Sequence, residues 1–162
     1  MTKEIIYKKP HEQFSTREKE CGQHTIELFV EGKRAGKLIY EYFSKPVPTY
    51  LLDLVIVDLE HRGKGYGSEL IEELNSFLIK KKRMGVLINA LGYTSKEKIY
   101  TDHGWKDWGY QNKNEPSMMV QYFNPPKWAS QDEIDKSVKR ILSHLETVSA
   151  RKNIEEEEKY AA

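Results

Sequence analysis

The stretch "VDLEHRGKGYGSELIEEL", Val57 to Leu74, places three glycines between an apolar run and a run with helical spacing. Upstream, "YLLDLVIV", Tyr50 to Val57, is nearly continuously apolar over the length of one strand, which is typical of a central strand buried on both faces. Downstream, Leu70, Ile71 and Leu74 recur at the spacing of one helical face. This stretch therefore predicts a strand, a glycine-rich turn and a helix in succession.

A strand, a glycine-rich turn and a helix together form a recurring anion-binding arrangement. The first amides of a helix have no acceptor within the helix, and the helix dipole adds positive potential there. Glycine permits unusual φ angles and lets an anion approach the main chain closely. Arg62 and Lys64 add positive charge. We predict that the loop holds a phosphate or pyrophosphate group; the alternative is a turn that merely packs tightly.

Two common phosphate motifs do not match this loop. A Walker loop ends in Gly-Lys-Ser/Thr, whereas this loop ends in Gly65-Tyr66-Gly67-Ser68. A dinucleotide-binding fold needs G-x-G-x-x-G opening the first βα unit. Here the glycines at 63, 65 and 67 have a different spacing, and the unit follows a predicted hairpin.

The flanking segments predict a mixed sheet. "EIIY", Glu4 to Tyr7, fits a short first strand, and "HTIELFVEGKRAGKLIYEYF", His24 to Phe43, alternates on both sides of a glycine-containing turn as a hairpin does. "GVLINAL", Gly85 to Leu91, is a second buried strand, which implies a right-handed parallel crossover from the first. "WKDWGYQ" and "SMMVQYF" predict two further strands.

The pattern R-x-x-G-x-G, at Arg62, Gly65 and Gly67, follows the central strand directly. In this setting it resembles the acetyl-CoA loop of the GNAT superfamily of N-acetyltransferases. "KIYTDHGW" is similar to a second segment of that family, with Tyr100 at its tyrosine and Gly104-Trp105 at its Gly-aromatic pair. The resemblance covers roughly residues 24 to 123. It implies an α/β (α+β) fold with a mostly antiparallel sheet, a central βαβ crossover for acetyl-CoA and a long C-terminal helix.

The resemblance implies direct transfer of an acetyl group from acetyl-CoA, as co-substrate, to a primary amine of a small molecule or peptide. It assigns the main-chain N–H of Val57 to the oxyanion, and the strand end at Ile56 and Val57 to the pantetheine amides. The residues it implies for coenzyme binding are Ile56, Val57, Arg62, Gly63, Lys64, Gly65, Tyr66, Gly67 and Ser68. A non-catalytic acyl-CoA-binding or partner-binding module on the same fold is the alternative.

Three further residues are candidates for catalysis. Tyr100 is implied as the acid that protonates the thiolate, or else it packs under the loop. Asp53 interrupts an apolar run and is the candidate base, or else it pairs with Lys or Arg. Strand alternation predicts that Asp53, Val55 and Val57 share one face. Asn89 could orient a water or the substrate, or be a satisfied buried amide.

The sequence departs from the family pattern before Tyr100. The family often has Asn and Ala where this chain has Tyr93 and Lys96, so the Asn contact to pantetheine does not carry over. Lys96 reaches a coenzyme phosphate or faces solvent. The segment before the hairpin is short, which implies an open acceptor site or one completed by another element or subunit. Trp108 and Tyr110 either flank the acceptor or pack within the sheet.

Composition narrows the class of protein. The chain has 162 residues, 38% hydrophobic and 31% charged, with net charge +1, which predicts one soluble domain without a nucleic-acid or membrane partner. A single cysteine and the lack of a signal-peptide pattern predict the cytoplasm. His61, His103 and His144 show no metal-ligand spacing, so no metal is expected. The basic run at 80–83 predicts a solvated helix end or, alternatively, a phosphate contact.

The C-terminal part, 126–162, is predicted to be an amphipathic helix and tail attached to an acetyltransferase-like domain at 1–125. Ser130 with Glu133 forms a capping-box pattern at its start. Its apolar residues step by four, three, four and three, and they are Ile134, Val138, Ile141, Leu145 and Val148. This seam predicts either a helix docked on its own domain or a homodimer contact.

Overall fold

The apolar segments of the sequence form a seven-stranded sheet in the computed structural model of the protein, which describes residues 2–8, 22–90, 99–107 and 118–161. The strands are β1 (Lys3–Lys8), β2 (Gln23–Val30), β3 (Lys33–Phe43), β4 (Thr49–Val57), β5 (Met84–Ala90), β6 (Lys106–Asp107) and β7 (Met118–Phe123). The helices are α1 (Tyr66–Lys81) and α2 (Gln131–Ala161), with a 3₁₀ turn at Leu59–His61 and further helical residues at 99–102.

The strand order is β1-β2-β3-β4-β5-β7-β6. Strands β4 and β5 run parallel and are connected through α1, while every other neighbouring pair is antiparallel. The predicted mixed, mostly antiparallel α+β fold is therefore confirmed. Glu31 and Gly32 join β2 to β3 with φ angles of 51° and 78°, the positive pair that a tight hairpin turn requires.

Strands β4 and β5 separate after a short paired region. They pair only from Thr49 to Leu52 on β4 and from Met84 to Leu87 on β5. Beyond that point β4 stays on β3 and β5 stays on β7, so a gap opens between their carboxyl ends. The prediction that β4 is buried on both faces is wrong for its second half, since Leu54 is 41% exposed. The reason is that β5 has diverged from it.

One face of the sheet packs on α1 and is called the α1 face. Its buried core includes Ile26, Leu28, Leu38, Tyr40, Tyr50, Leu52, Leu70, Leu74, Leu78, Leu87 and Trp105. A Cβ on Gly85 would lie 2.8 Å from Leu78 and 2.8 Å from Trp105, so only glycine lets these side chains close on β5. The Trp105 indole donates to Asn75 at 2.9 Å, and the Asn75 amide donates to the His103 carbonyl at 2.9 Å. Trp105 is therefore a structural aromatic.

The opposite face packs on α2 and is called the α2 face. Its buried core joins α2 to four strands and the β3–β4 connection, through Phe43, Val47, Leu51, Met84, Val86, Val120, Ile134, Val138, Ile141 and Leu142. Ser130 and Glu133 exchange the hydrogen bonds of a capping box, as predicted. The apolar seam of α2 lies against this sheet as far as Leu145, so a homodimer through the same face would need residues beyond it.

The basic residues 80–83 at the end of α1 differ in where their side chains lie. Lys80, Lys81 and Lys82 are exposed, as a solvated helix end predicts, and Lys82 ends the helix in the left-handed conformation with φ 55°. Arg83 instead turns inward. Its guanidinium lies 4.5 Å from the centre of the Tyr42 ring and donates to the Tyr50 hydroxyl at 2.5 Å.

Candidate active site

The glycine loop after β4 is open above its main chain. Gly63 and Gly65 have φ angles of 79° and 82°, which side chains other than glycine rarely adopt. A Cβ at either position would meet nothing within 4 Å. Conformation, not crowding, therefore requires glycine here, and no described side chain fills the concave surface of the turn.

Gly65 is also the N-cap of α1, and it carries no side chain that could cap the helix. The first helical hydrogen bond runs from the Glu69 amide to the Gly65 carbonyl at 3.1 Å. Within the described part of the chain, the amides of Gly67 and Ser68 have no main-chain or capping acceptor. With exposed Lys64 beside them, these amides form the positive end of a helix facing solvent. That arrangement can bind a phosphate or diphosphate.

Two predicted loop ligands are partly engaged within the protein. The Tyr66 side chain is buried on the α1 face, with its ring 6.0 Å from that of His61, so only its main chain faces the loop. Arg62 donates from Nε to the Val57 carbonyl at 3.0 Å. Arg62 therefore ties the loop to the carboxyl end of β4 while its side chain stays exposed.

The direction of the peptide groups at the end of β4 follows from its pairing with β3. The Asp58 amide donates to the Ala35 carbonyl at 2.8 Å, and Ile56 lies opposite Lys37. Since hydrogen-bonded pairs alternate along an antiparallel ladder, the peptide groups of Ile56 point toward β3 and those of Val57 point away from it. The N–H of Val57 therefore faces the gap beside β5, whereas the peptide groups of Ile56 are committed to the sheet.

Val55 is a site residue that the sequence analysis missed. It shares the alternation of Val57, so its N–H and C=O also face the gap. A ligand lying along this edge would pair with Val55 and Val57, not with Ile56. The alternation of residues along a strand shows that Val55 and Val57 point the same way. Only the register with β3 shows that this direction is away from β3 and toward the gap.

The start of α1, the end of β4 and helical residues 99–102 meet at Gly67. A Cβ on Gly67 would lie 3.7 Å from the Val57 side chain and 3.7 Å from that of Ile99. Tyr100 follows directly, half-buried against the α1-face core, with its ring 6.2 Å from that of Trp105. Burial raises the pKa of the Tyr100 phenol, so the hydroxyl keeps its proton at neutral pH.

Asp53 occupies a β-bulge. Leu54 lies opposite Ile39 while Leu52 lies opposite Tyr40, so Asp53 is the extra residue on β4. The bulge resets the alternation, and both Leu52 and Val55 pack on the α1 face. The prediction that Asp53 shares a face with Val55 and Val57 is therefore wrong.

The carboxyl of Asp53 lies beside that of Glu41, which sits on β3 opposite Leu51 and therefore on the α2 face. Asp53 keeps part of its surface exposed, and partial desolvation of its carboxyl, then the negative charge of Glu41 and a hydrogen bond to it, raise the pKa of Asp53 to about 8. His144 on α2 approaches the same glutamate, with its Nε2 3.4 Å from Glu41 Oε2. Among the described residues, the partner of Asp53 is thus a second carboxyl, not the Lys or Arg that the sequence offered as the alternative.

Asn89 lies on the part of β5 that has left β4, two residues after Leu87, and its main chain pairs with Met119. It therefore belongs to the strand that borders the gap. Tyr93, Lys96, Trp108 and Tyr110 lie outside the described residues.

Two features are absent from the described ranges. None of the described helices is long and apolar enough to cross a membrane. No group of three or more His, Cys, Asp or Glu side chains among the described residues could hold a metal ion.

Comparison with known proteins gives the family of this chain. The model of the acetyltransferase (GNAT) family matches residues 3–104. No curated protein matches the sequence. A GNAT-family acetyltransferase from Desulfovibrio desulfuricans is similar in fold, with 17% identity, a TM-score of 0.56 and coverage of 64% of this chain and 69% of that one.

Two further structures share the fold. The ribosomal-protein-S18-alanine N-acetyltransferase of Escherichia coli has 17% identity and a TM-score of 0.53, covering 66% of this chain and 72% of that one. A streptothricin acetyltransferase homologue from Bacillus anthracis, solved with acetyl coenzyme A, has 15% identity and a TM-score of 0.53, covering 64% of this chain and 62% of that one. The chain belongs to the acetyltransferase (GNAT) family, whose enzymes transfer acyl groups from acetyl-CoA.

Proposed function

We propose that this protein transfers an acetyl group directly from acetyl-CoA to a primary amine of a small molecule or peptide. The observation that supports this most is the gap between β4 and β5, because it brings three kinds of group together. An open anion-binding loop lies at its end, outward-facing peptide groups of Val55 and Val57 line one wall, and Tyr100 belongs to the segment that meets β4 at Gly67.

Acetyl-CoA would lie along the β4 side of the gap. The amides of residues 63–68 and the side chain of Lys64 would hold its diphosphate, with Arg62 as a further positive group. The pantetheine amides would extend the sheet by pairing with Val55, in the manner of an added strand, which leaves the Val57 N–H for the thioester carbonyl. The acetyl-CoA complex of the Bacillus anthracis relative supports this choice of co-substrate.

Binding of the coenzyme is the first test. At a CoA concentration 100 times its dissociation constant, linkage stabilises the fold by about 2.7 kcal/mol, which raises Tm by about 5 °C or more for a chain of this size. Thermal unfolding with CoA and with adenosine as a control measures the shift. An unchanged Tm at millimolar CoA would overturn the proposal.

The residues divide the chemistry of transfer between them. The co-substrate supplies an acetyl group on a thioester. Asp53, when ionised, would take a proton from the acceptor ammonium, which leaves a nucleophilic amine. The Val57 N–H would donate to the carbonyl oxygen as negative charge develops on it. Tyr100 would give its proton to the departing sulfur as the C–S bond breaks, and the proton that the new amide nitrogen loses would restore the Tyr100 phenol.

Tyr100→Phe is expected to lower kcat by about tenfold, because removal of the acid slows thiolate departure. The effect stays modest because a thiol with a pKa of about 8.5 leaves near neutral pH without full protonation. The Kd for CoA, from calorimetry, is expected to change little. An unchanged kcat would remove Tyr100 from the mechanism, and a large loss of CoA affinity would make its role structural.

An assay of acetyl transfer over a panel of primary amines separates an enzyme from the alternative module. Small polyamines, aminoglycosides and peptides with free N-termini cover the acceptor classes. Appearance of free thiol that depends on the amine supports transfer. CoA binding without transfer to any of them would favour the non-catalytic module.

A further inference from the structure

We propose that Glu41 and His144 are positioning residues that pass the proton taken up by Asp53 to solvent on the α2 face of the sheet. This inference rests on the proposed function, since it assumes that Asp53 accepts a proton from the acceptor amine. It assigns a role in the reaction to α2, a helix that lies outside the loop and the family-matched residues 3–104.

The three side chains lie next to one another in a row that runs from β4 to α2. The bulge at Asp53 turns its carboxyl onto the α2 face, where a hydrogen bond joins it to Glu41. The Glu41 side chain is only 13% exposed, and its Oε2 lies 3.4 Å from His144 Nε2. Oε2 has no partner at hydrogen-bond distance and geometry among the described residues, so a small movement of His144 would complete the row.

His144 is held in place at one edge and open to solvent at another. Its ring packs edge-on against Phe43, with centroids 5.3 Å apart, while 28% of the side chain remains exposed. An imidazole can accept a proton on one nitrogen and release one from the other. His144 therefore has the chemistry and the exposure of an exit group.

Other charged and titratable residues also lie on the α2 face. By alternation, Lys37 on β3 lies on the same face two residues before Ile39, and Glu27 on β2 lies opposite it. Arg140, one turn before His144 on α2, donates to the Lys45 carbonyl at 2.8 Å. Alternation also places Glu4 and Lys8 on β1, Lys106 on β6 and Tyr122 on β7 on this face, and Lys8 forms an ion pair with Glu27.

The proton balance is simple. An N–H bond of the acceptor ammonium breaks and an O–H bond forms on the Asp53 carboxylate. The proton then moves through the carboxyl pair to His144 Nε2, the imidazolium loses a proton to water, and Asp53 is again ionised for the next turnover. These steps are proton transfers only, so nothing is oxidised or reduced and no additional reactant is required.

Chemical rescue tests the exit group. His144→Ala is expected to lower kcat by about tenfold, and added imidazole is expected to restore most of the loss. His144→Gln can donate a hydrogen bond to Glu41 but cannot relay a proton, so it should be as slow as the alanine variant. A structural role would give the opposite result, with the glutamine variant active and imidazole without effect.

His103→Ala is the matched control. His103 is also half-buried and lies 3.7 Å from a glutamate, Glu72, but it takes no part in the row. Its variant should keep the wild-type rate and show no response to imidazole. Loss of rate with rescue in both variants would overturn the specific assignment to His144.

A readout independent of activity is the titration of Asp53 by carbon NMR of its carboxyl. Glu41→Gln removes the neighbouring charge, so the Asp53 midpoint should move down toward that of an ordinary carboxyl. An unchanged midpoint would break the link between the two residues and overturn the row. If both His144 variants transfer acetyl at the wild-type rate, the relay alone is overturned. If the wild-type protein acetylates no amine, the proposed function is overturned.

Discussion

Asp53→Asn is expected to lower kcat for acetyl transfer by on the order of a hundredfold or more, because an amide cannot take the proton of the acceptor amine. The Kd for CoA should stay within about threefold of the wild-type value, since the Asp53 side chain makes none of the proposed coenzyme contacts. Stopped assays of thiol release, with calorimetry of CoA binding, measure both quantities. Asp132→Asn, at a solvent-exposed carboxylate at the start of α2, is the control.

The role of Asp53 as the base also predicts how wild-type kcat changes with pH. Because the pKa of Asp53 in the folded protein is raised to about 8, the carboxyl is largely protonated at neutral pH and becomes a base as pH rises. Wild-type kcat should therefore increase through pH 8, and the Asp53→Asn variant should lack that limb. A variant with wild-type rate across this range would remove Asp53 as the base.

Stability follows the same linkage and checks that the variant is folded. An acid whose pKa is raised on folding favours the folded state while it is protonated, and that contribution is lost as pH rises through the folded-state value. Wild-type Tm should thus fall relative to that of Asp53→Asn between pH 5 and pH 9. A Tm difference that does not vary with pH would show that the Asp53 carboxyl titrates normally.

Gly65→Asp is expected to weaken CoA binding by about a hundredfold relative to wild type, because a carboxylate at the N-cap would compete for the amides that hold the diphosphate and would repel it. Gly65→Asn has nearly the same shape and the same left-handed backbone requirement without the charge, and it should lose only about tenfold. The ratio between the two variants isolates the electrostatic part. Calorimetry at two salt concentrations measures it, and the difference should shrink at high salt.

Gly32→Asn is the backbone control for this pair. Gly32 has φ 78°, close to the 82° of Gly65, and a Cβ there also meets nothing within 4 Å, but it lies in the β2–β3 turn. It should cost stability in the same way and leave CoA affinity unchanged. If Gly65→Asp and Gly65→Asn bind CoA equally well, the loop does not hold an anion at the helix terminus.

The sequence determined the elements and their order, because apolar period and glycine position are local properties. The run from Tyr50 to Val57, the glycines at 63 and 65, and the spacing of Leu70, Ile71 and Leu74 were enough to predict strand, loop and helix. Arg62, Gly65 and Gly67, together with the segment around Tyr100, suggested the family, which the family model supports over residues 3–104. Each of these features depends on neighbours within a few positions along the chain.

The tertiary structure alone decided which groups face the gap between β4 and β5. The divergence of β5 from β4 exposed the peptide groups of Val55 and Val57, and the bulge at Asp53 moved its carboxyl to the opposite face, next to Glu41. His144 reached that pair from a helix some ninety residues later in the chain. Strand register, bulges and contacts between distant residues arise from packing of the whole sheet, so no local pattern in the sequence could predict them.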